Sequence, residues 1–152
     1  MNAEKIRLAC EYGSVGIIQW CLDAISLECF DINSLMVESC GYGWINIVKR
    51  VWNHEHINHD KLDMKTAMND ACTYNRFEIV TWLLQNIDGL KFDMSNVLME
   101  SCRHGWIDSV KTVIQNGDST LYNITSCISQ ACTNGHLELI EYMYKDIWAK
   151  SF

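Results

Sequence analysis

The chain has 152 residues, of which 49% are hydrophobic and 20% are charged, and its formal net charge is −7 at pH 7. This length suits one domain, and the composition lies far from that of disordered segments. The negative charge disfavours nucleic acid and anionic membrane surfaces as partners, because both recruit proteins through clustered Lys and Arg.

The first ten residues, MNAEKIRLAC, lack the apolar run of a signal peptide, and no segment reaches about 18 uninterrupted apolar residues. We therefore expect a cytoplasmic protein. Its eight cysteines should stay reduced in that compartment, since structural disulfides are rare there.

The sequence repeats itself at a nearly constant period. The stretch VESCGYGWINIVK (37–49) returns as MESCRHGWIDSVK (99–111), with eight of thirteen residues unchanged. A small residue followed by cysteine recurs five times, and we call these cysteines the repeat cysteines: Cys10, Cys40, Cys72, Cys102 and Cys132. They are separated by 30, 32, 30 and 30 residues. Such a period is typical of solenoid proteins.

Each unit predicts a first helix that ends just after its repeat cysteine. An apolar residue stands four positions before each cysteine: Ile6, Met36, Met68, Leu98 and Ile128. Residues suited to cap a helix N-terminus stand six positions before it in four units, with Glu4 the exception: Ser34, Thr66, Asn96 and Ser126. Residues that tolerate the left-handed conformation follow three positions after it: Gly13, Gly43, Asn75, Gly105 and Gly135.

A second amphipathic helix follows each turn. Its apolar residues fall five, eight, eleven and twelve positions after the repeat cysteine, as in Val15, Ile18, Cys21 and Leu22, or Phe77, Val80, Leu83 and Leu84. We also predict Trp20 and Trp82 on these helices to be core residues. Short connectors then close on an apolar anchor: Phe30-Asp31-Ile32, Leu62-Asp63-Met64, Phe92-Asp93-Met94 and Tyr122-Asn123-Ile124.

Helices this short are marginal alone in water, so neighbouring units must stack to supply the core. The sequence therefore predicts an all-α solenoid of five helix–turn–helix repeats in a single domain, residues 1–152. The expected units are approximately 2–29, 30–61, 62–91, 92–121 and 122–152.

The stretches ACTNGHLELIEYMY (131–144) and ACTYNRFEIVTWLL (71–84) resemble ankyrin repeats, and the likeness extends over roughly residues 2–148. The Thr-Pro-Leu-His opening of that family is absent, and the connectors are short, which argues against regular β-hairpin fingers. Variants with Ala-Cys-x-x-Gly resemble divergent ankyrin repeats of large DNA viruses and some protists. For a viral chain, the resemblance implies a modulator of host proteins in the host cytoplasm.

The repeat cysteines fit a helix interior that needs small, apolar side chains. Equivalent residues of stacked helices lie about 8–10 Å apart, which exceeds the roughly 7 Å that a disulfide bridges. Zinc is not indicated, since the chain has no Cys-x-x-Cys pair. In HEHINHD (54–60), His54, His56 and His59 could collect a divalent metal, but we favour a solvated polar loop.

No cysteine or serine in the sequence pairs with a base and an orienting group, and the glycines are spread one per unit. We therefore expect no enzyme, no cofactor and no metal. The family resemblance implies instead that the two residues after each repeat cysteine face a concave groove that binds a partner protein. The predicted partner-binding residues are Tyr12, Tyr42, Thr73, Tyr74, Arg103, His104 and Asn134.

Tyrosine suits an interface because it presents a large, rigid surface and a hydroxyl group. The alternative is that each ring merely packs over a neighbouring helix. Trp44 and Trp106 replace the usual histidine after glycine, and we expect them to pack between repeats. The acidic balance of the chain favours a partner with a basic patch.

The C-terminal stretch MYKDIWAKSF leaves four apolar residues without an obvious neighbour: Tyr144, Ile147, Trp148 and Phe152. They could fold back as a cap, form an oligomer contact, or join a longer assembly. The alternative function is thus a structural protein that self-associates through this end.

Overall fold

The computed structural model describes residues 3–24, 31–117 and 121–148, and all regular secondary structure in these ranges is helical. The prediction of an all-α fold is therefore confirmed. The α-helices are α1 (Ala3–Glu11), α2 (Val15–Ala24), α3 (Ile32–Tyr42), α4 (Ile45–Trp52), α5 (Met64–Thr73), α6 (Phe77–Asn86), α7 (Met94–His104), α8 (Ile107–Asn116), α9 (Ile124–Thr133) and α10 (Leu137–Tyr142). Short 3₁₀-helices occupy His59–Lys61 and Gly89–Lys91, and a π-helix occupies Met143–Trp148.

The described helices form five pairs, and a left-handed residue closes the first helix of every pair. The predicted turn positions all have positive φ: Gly13 (67°), Gly43 (89°), Asn75 (58°), Gly105 (77°) and Gly135 (75°). This conformation lets the N–H group of the left-handed residue and that of the following residue donate to carbonyl groups of the helix. The N–H groups of Gly43 and Trp44 both donate to the Ser39 carbonyl, at 3.1 and 2.9 Å.

The helix N-termini lie three residues earlier than predicted. The caps of α3, α5, α7 and α9 are Asp31, Asp63, Asp93 and Asn123, whereas the predicted caps Ser34, Thr66, Asn96 and Ser126 occupy the third helical position. Their backbone N–H groups donate to the true caps. The prediction was wrong because an Asp or Asn side chain just after the connector anchor is an equally strong cap and takes the first free N–H groups.

Several hydrogen bonds hold Asp63, the cap of α5, in place. The Thr66 N–H and hydroxyl donate to the Asp63 carboxylate at 3.0 and 2.7 Å. Both hydrogen bonds lower the pKa of the Asp63 carboxyl, and the bond from the Thr66 backbone N–H has the larger effect. The Asp63 N–H donates in turn to the Asn33 side chain on α3, at 2.7 Å. One residue thus starts a helix and ties it to the preceding pair.

Residues 1–80 and 81–152 each form a compact unit. In the first, α3 packs against α1 and α5, and α2 against α4; in the second, α7 packs against α8 and α9, and α9 against α10. The predicted stripe is fully buried at Met36, Met68 and Leu98. The side chains of Ile6 and Cys10, and residues Cys29 and Phe30, lie outside the described part.

Several predicted core residues are at the surface instead. Trp20 is 63% exposed and Phe77 is also exposed, while Trp82 is half-buried. The equivalent residue is the exposed Arg50 on α4 but the half-buried Trp82 on α6, so this position lies at the edge of the core. The repeat cysteine Cys132 is exposed, although Cys40, Cys72 and Cys102 are fully buried.

The C-terminal helix bears on the alternatives left open for this end. Ile147 is buried, as expected of a segment that folds back, whereas Tyr144 is exposed. Met143 is fully buried, and its sulfur accepts a hydrogen bond from the Cys102 thiol at 3.7 Å. The Trp148 side chain and Phe152 lie outside the described residues. The amphipathic π-helical turn therefore directs part of the expected apolar set into the core of the second unit.

Three buried serines of the described residues, Ser39, Ser101 and Ser109, carry a hydroxyl without a hydrogen-bond partner, and two of them share one repeat position. Ser39 and Ser101 immediately precede their repeat cysteines, are fully buried, and have no hydrogen-bond partner for Oγ among the described residues. Alanine occupies the same position in the other units, as at Ala71 and Ala131. A buried hydroxyl without a partner costs free energy, and serine is a weaker helix former than alanine.

We therefore expect Ser39→Ala to raise the free energy of unfolding by about 1 kcal/mol, measured by urea denaturation. The matched reverse change, Ala71→Ser, should lower it by a similar amount. A destabilised Ser39→Ala variant would mean that the hydroxyl has a partner in solution.

Candidate functional site

The predicted tyrosines lie at the C-terminal ends of three successive first helices. Tyr42 is the last residue of α3, Tyr12 follows α1 directly, and Tyr74 caps α5. Tyr12 is 77% exposed, Tyr74 is 59% exposed, and Tyr42 is half-buried. The left-handed residue that follows each ring ends the helix and keeps the ring near the edge of the core. The first compact unit therefore carries a row of three tyrosines, two of them open to solvent.

The Tyr74 ring also packs over the preceding pair. A Cβ atom added to Gly41 on α3 would lie 3.5 Å from Tyr74 Cδ2. The ring therefore covers the backbone of α3 with one face while more than half of its surface stays accessible. The Tyr74 ring therefore packs on the preceding pair and remains available to a partner.

Half-buried carboxylates lie one helical turn before two of these tyrosines. Glu38 precedes Tyr42 on α3, and Asp70 precedes Tyr74 on α5, each by four residues. Residues four apart share a helix face. Burial raises the pKa of the Asp70 carboxyl, and the negative charge of Asp63 adds to that effect. The sequence analysis missed this acidic row, although Glu38, Asp70 and Glu100 all stand two positions before a repeat cysteine.

In the second compact unit, Arg103 and His104 share one acidic partner. Arg103 Nε donates to Glu100 Oε2 at 2.9 Å, and its terminal nitrogen contacts the same oxygen. His104 Nε2 lies 3.7 Å from that oxygen, and the ring stacks on Trp106 with centroids 4.7 Å apart. Glu100 thus fixes both predicted binding residues, and the His104 ring is largely packed.

The remaining predicted residues sit at helix ends. Thr73 is the exposed last residue of α5. Asn134 is the exposed C-cap of α9, and its side-chain amide donates to the Gln130 carbonyl at 2.9 Å. Each lies at the C-terminal end of the first helix of its pair, as the tyrosines do. The predicted residues are therefore all found at the ends of these first helices.

A clasp between consecutive pairs lies directly beside these residues. In the second, third and fifth pairs it is formed by the residue that follows the left-handed position, which we call the clasp residue. Arg76 Nε donates to the Gly41 carbonyl at 2.7 Å, and a Cβ atom on Gly43 would lie 3.1 Å from the Arg76 stem. His136 Nε2 lies 2.8 Å from the Arg103 carbonyl oxygen, in the equivalent arrangement.

Trp44 is the clasp residue of the second pair, and its ring lies 3.7 Å from the position of a Cβ atom on Gly13. This agrees with the prediction that Trp44 packs between repeats. At Gly105, a Cβ atom would come within 2.6 Å of the His136 ring. Glycine is therefore required there twice over, for its positive φ and for the space that the clasp ring occupies.

The histidine connector is ordered by its own contacts. The His59 ring stacks on Trp52 with centroids 3.9 Å apart, and His59 Nε2 lies 2.7 Å from the Trp52 carbonyl oxygen. The His54 and His56 rings approach each other, at 5.8 Å between centroids. Within the part of the chain that the structure describes, no three His, Cys, Asp or Glu side chains are grouped to hold a metal ion.

The buried thiols are held in their protonated form or paired with one another. Burial, and secondarily the charge of Asp70, raises the pKa of the Cys40 thiol. The neighbouring Cys127 thiol, and then burial, raise the pKa of the Cys102 thiol. Cys127 lies outside the repeat-cysteine alignment, so the period of the sequence carries no sign of this pairing.

The family model for ankyrin repeats matches residues 6–93 in three copies, which is more than half of the chain. A comparison with curated proteins and a comparison with solved structures each found no match. Among the helices in the three described ranges, none is both long and apolar enough to span a membrane.

We expect Arg76→Ala to lower the free energy of unfolding by about 1–2 kcal/mol, because the Gly41 carbonyl loses a charged donor and the packed stem is removed. Arg50→Ala is the matched control. Arg50 pairs with Asp23 at an exposed site, where an ion pair contributes about 1 kcal/mol or less. Equal losses in the two variants, measured by chemical denaturation, would contradict the clasp.

Proposed function

We propose that this chain, because it belongs to the ankyrin-repeat family, is a non-catalytic module that binds a partner protein. Ankyrin repeats are generally protein–protein interaction modules. We place the contact on the tyrosine surface, defined as Tyr12, Tyr42, Thr73 and Tyr74. The predicted binding residues of the second compact unit are Arg103, His104 and Asn134. Residues 1–152 would form a single domain of five repeats.

The observation that carries this proposal is the exposure of Tyr12 and Tyr74 at equivalent helix ends. Large aromatic side chains that remain accessible beside a fixed backbone resemble the anchors found at the centres of interfaces. The clasp of Arg76 on α3 holds the helix end that presents Tyr74. A partner would therefore bind without ordering this part of the chain, which lowers the entropic cost of association.

The acidic row beside the tyrosines favours a partner with a basic patch. Glu38 and Asp70 are half-buried behind Tyr42 and Tyr74. An arginine or lysine of the partner could stack on a tyrosine face while its charge approaches a carboxylate. The net charge of −7 would also speed the encounter with a positively charged surface.

Two broader hypotheses belong to the same proposal. If the chain is viral, its partner would be a host protein in the host cytoplasm. The alternative function, a self-associating structural protein, is supported by apolar side chains that remain exposed near the C-terminal end, such as Tyr144 and Leu137. The buried Ile147 cannot contribute to such a contact without rearrangement.

The double variant Tyr12→Ala/Tyr74→Ala should weaken partner binding at least about tenfold, because it removes the two most exposed rings of the tyrosine surface. A pull-down with the wild-type chain would supply the partner, and isothermal titration would give the affinities. Tyr144→Ala removes an exposed ring elsewhere and should leave the affinity unchanged. If both variants bind like the wild type, the tyrosine surface is not the binding site.

Asp70→Asn should weaken binding of a basic partner about fivefold, the effect of roughly 1 kcal/mol of lost surface attraction. The same change should raise the thermal midpoint at neutral pH. Because the folded-state pKa of Asp70 is raised, its ionised form destabilises the fold, and stability from this group grows as pH falls through that pKa. Wild-type binding should weaken over the same pH range, and Asp70→Asn should remove that dependence.

A further inference from the structure

The core around Cys102 contains a thiol where other helix pairs have a hydrocarbon side chain. Five residues before the repeat cysteine, the buried residue of α9 is Cys127. The equivalent residues of α3, α5 and α7 are also buried: Leu35, Ala67 and Val97. Because α9 packs against α7, the thiol of Cys127 lies beside that of Cys102 and acts on it directly.

A second sulfur reaches Cys102 from the end of the same helix pair. Eleven residues after the repeat cysteine stands Met143, which is fully buried and begins the π-helix. The equivalent residues are buried too and, apart from Cys21 in the first pair, are hydrocarbons: Val51, Leu83 and Val113. The Met143 Sδ atom lies 3.7 Å from Cys102 Sγ. A π-helix is rare and is frequently found at functional sites.

Two thiols and a thioether therefore meet in the core of the second compact unit. Metal–thiolate bonds are about 2.3 Å long, so three sulfurs arranged evenly around one ion lie about 4 Å from one another. The 3.7 Å between the sulfurs of Cys102 and Met143 is close to that separation. The spacing of these two sulfurs thus suits a shared ion, with Cys127 as the third ligand.

We propose that Cys102, Cys127 and Met143 form a binding site for one monovalent copper ion, Cu(I). Thiolates and thioethers are soft ligands, which favour Cu(I). Zinc fits less well, because a structural zinc site takes four ligands. Among the residues that the structure describes, no third His, Cys, Asp or Glu side chain joins the two thiols.

Binding converts both thiols into thiolates. Cys102 and Cys127 each release one proton to water and form a bond from sulfur to Cu(I), while Met143 donates a lone pair of its uncharged sulfur. The ion keeps its oxidation state throughout. The single positive charge of Cu(I) offsets one of the two thiolate charges, and the three ligands join α7, α9 and the π-helix.

The π-helix offers a route for the ion into this buried site. Of its residues with described side chains, Met143 and Ile147 are buried, whereas Tyr144, Lys145 and Asp146 are exposed. A segment held by few buried side chains opens at a lower free energy than the whole domain. Local opening of this turn would expose the sulfur of Met143 first and admit the ion beside it.

The copper site is independent of the proposed partner binding. It uses none of the residues assigned to the tyrosine surface, nor Arg103, His104 or Asn134. Failure of either experiment therefore leaves the other proposal standing.

The test uses the full chain, reduced and in oxygen-free buffer, with Cu(I) supplied as its coloured bicinchoninate complex. The wild-type chain should remove one Cu(I) per chain from the chelator, and X-ray absorption should show three sulfur neighbours at about 2.3 Å. Cu(I) should also raise the thermal midpoint, because a ligand that binds only the folded state stabilises it.

Two variants each replace a ligand by the residue that another pair has at the same position. Cys127→Ala copies Ala67, and Met143→Leu copies Leu83. Loss of an outer partner alone costs about 10–100-fold in metal affinity, so loss of the Cys127 ligand should cost at least about 100-fold. Met143→Leu should cost about tenfold and leave two sulfur neighbours, since a thioether is the weaker, uncharged ligand.

Two matched controls should bind Cu(I) like the wild type. Cys132→Ser removes an exposed thiol, and Met64→Leu removes a buried thioether of the first compact unit.

Other results would overturn the proposal. A wild-type chain that takes no copper from the chelator has no such site. Wild-type affinity in Cys127→Ala would assign the ion to other thiols, and loss of binding in Cys132→Ser would show capture at the surface. A lower thermal midpoint with Cu(I) would mean that the ion binds the unfolded chain. Melting curves without metal check that each variant folds; should Cys127→Ala unfold, Cys127→Val, which copies Val97, replaces it.

Discussion

The left-handed residue at the end of each first helix is the constraint on which the rest of the structure depends. It ends the first helix and brings the chain to the start of the second within a few residues. In the second, third and fifth pairs it also sets the next residue, the clasp residue, beside the preceding pair. The turn that closes a pair therefore also attaches it to the preceding pair, through Arg76 in one case and His136 in another.

This arrangement explains why the candidate binding residues are found where they are. The final turn of each first helix lies just outside the buried columns, and its side chains are free to differ between pairs. Tyr74 and His104 thus occupy equivalent positions with unlike chemistry, one packed over Gly41 and the other stacked on Trp106. In the proposed function, the repeated backbone supplies rigidity, and the varied helix ends supply selectivity.

Much of the fold could be predicted from the sequence because it depends on spacing. The left-handed turns and the buried stripe of Met36, Met68 and Leu98 follow from residue types at fixed intervals. The exposure of Trp20 and Cys132 could not be predicted this way, since an aligned column assigns the same surroundings to every pair. The contacts of Arg103 and His104 with Glu100 could not be predicted either. They depend on the directions of side chains at one helix end, which the repeat period does not determine.

The connector that contains His54 and His59 makes the second interval 32 residues instead of 30. Its additional length is taken up before α5 begins, where the His59 ring stacks on Trp52 and Asn58 caps a short 3₁₀-helix. The buried residues on either side keep their spacing from their own repeat cysteines. Evolution can accordingly lengthen this loop by insertion without disturbing the register of the stack, which makes it the place where new sequence would be least costly to acquire.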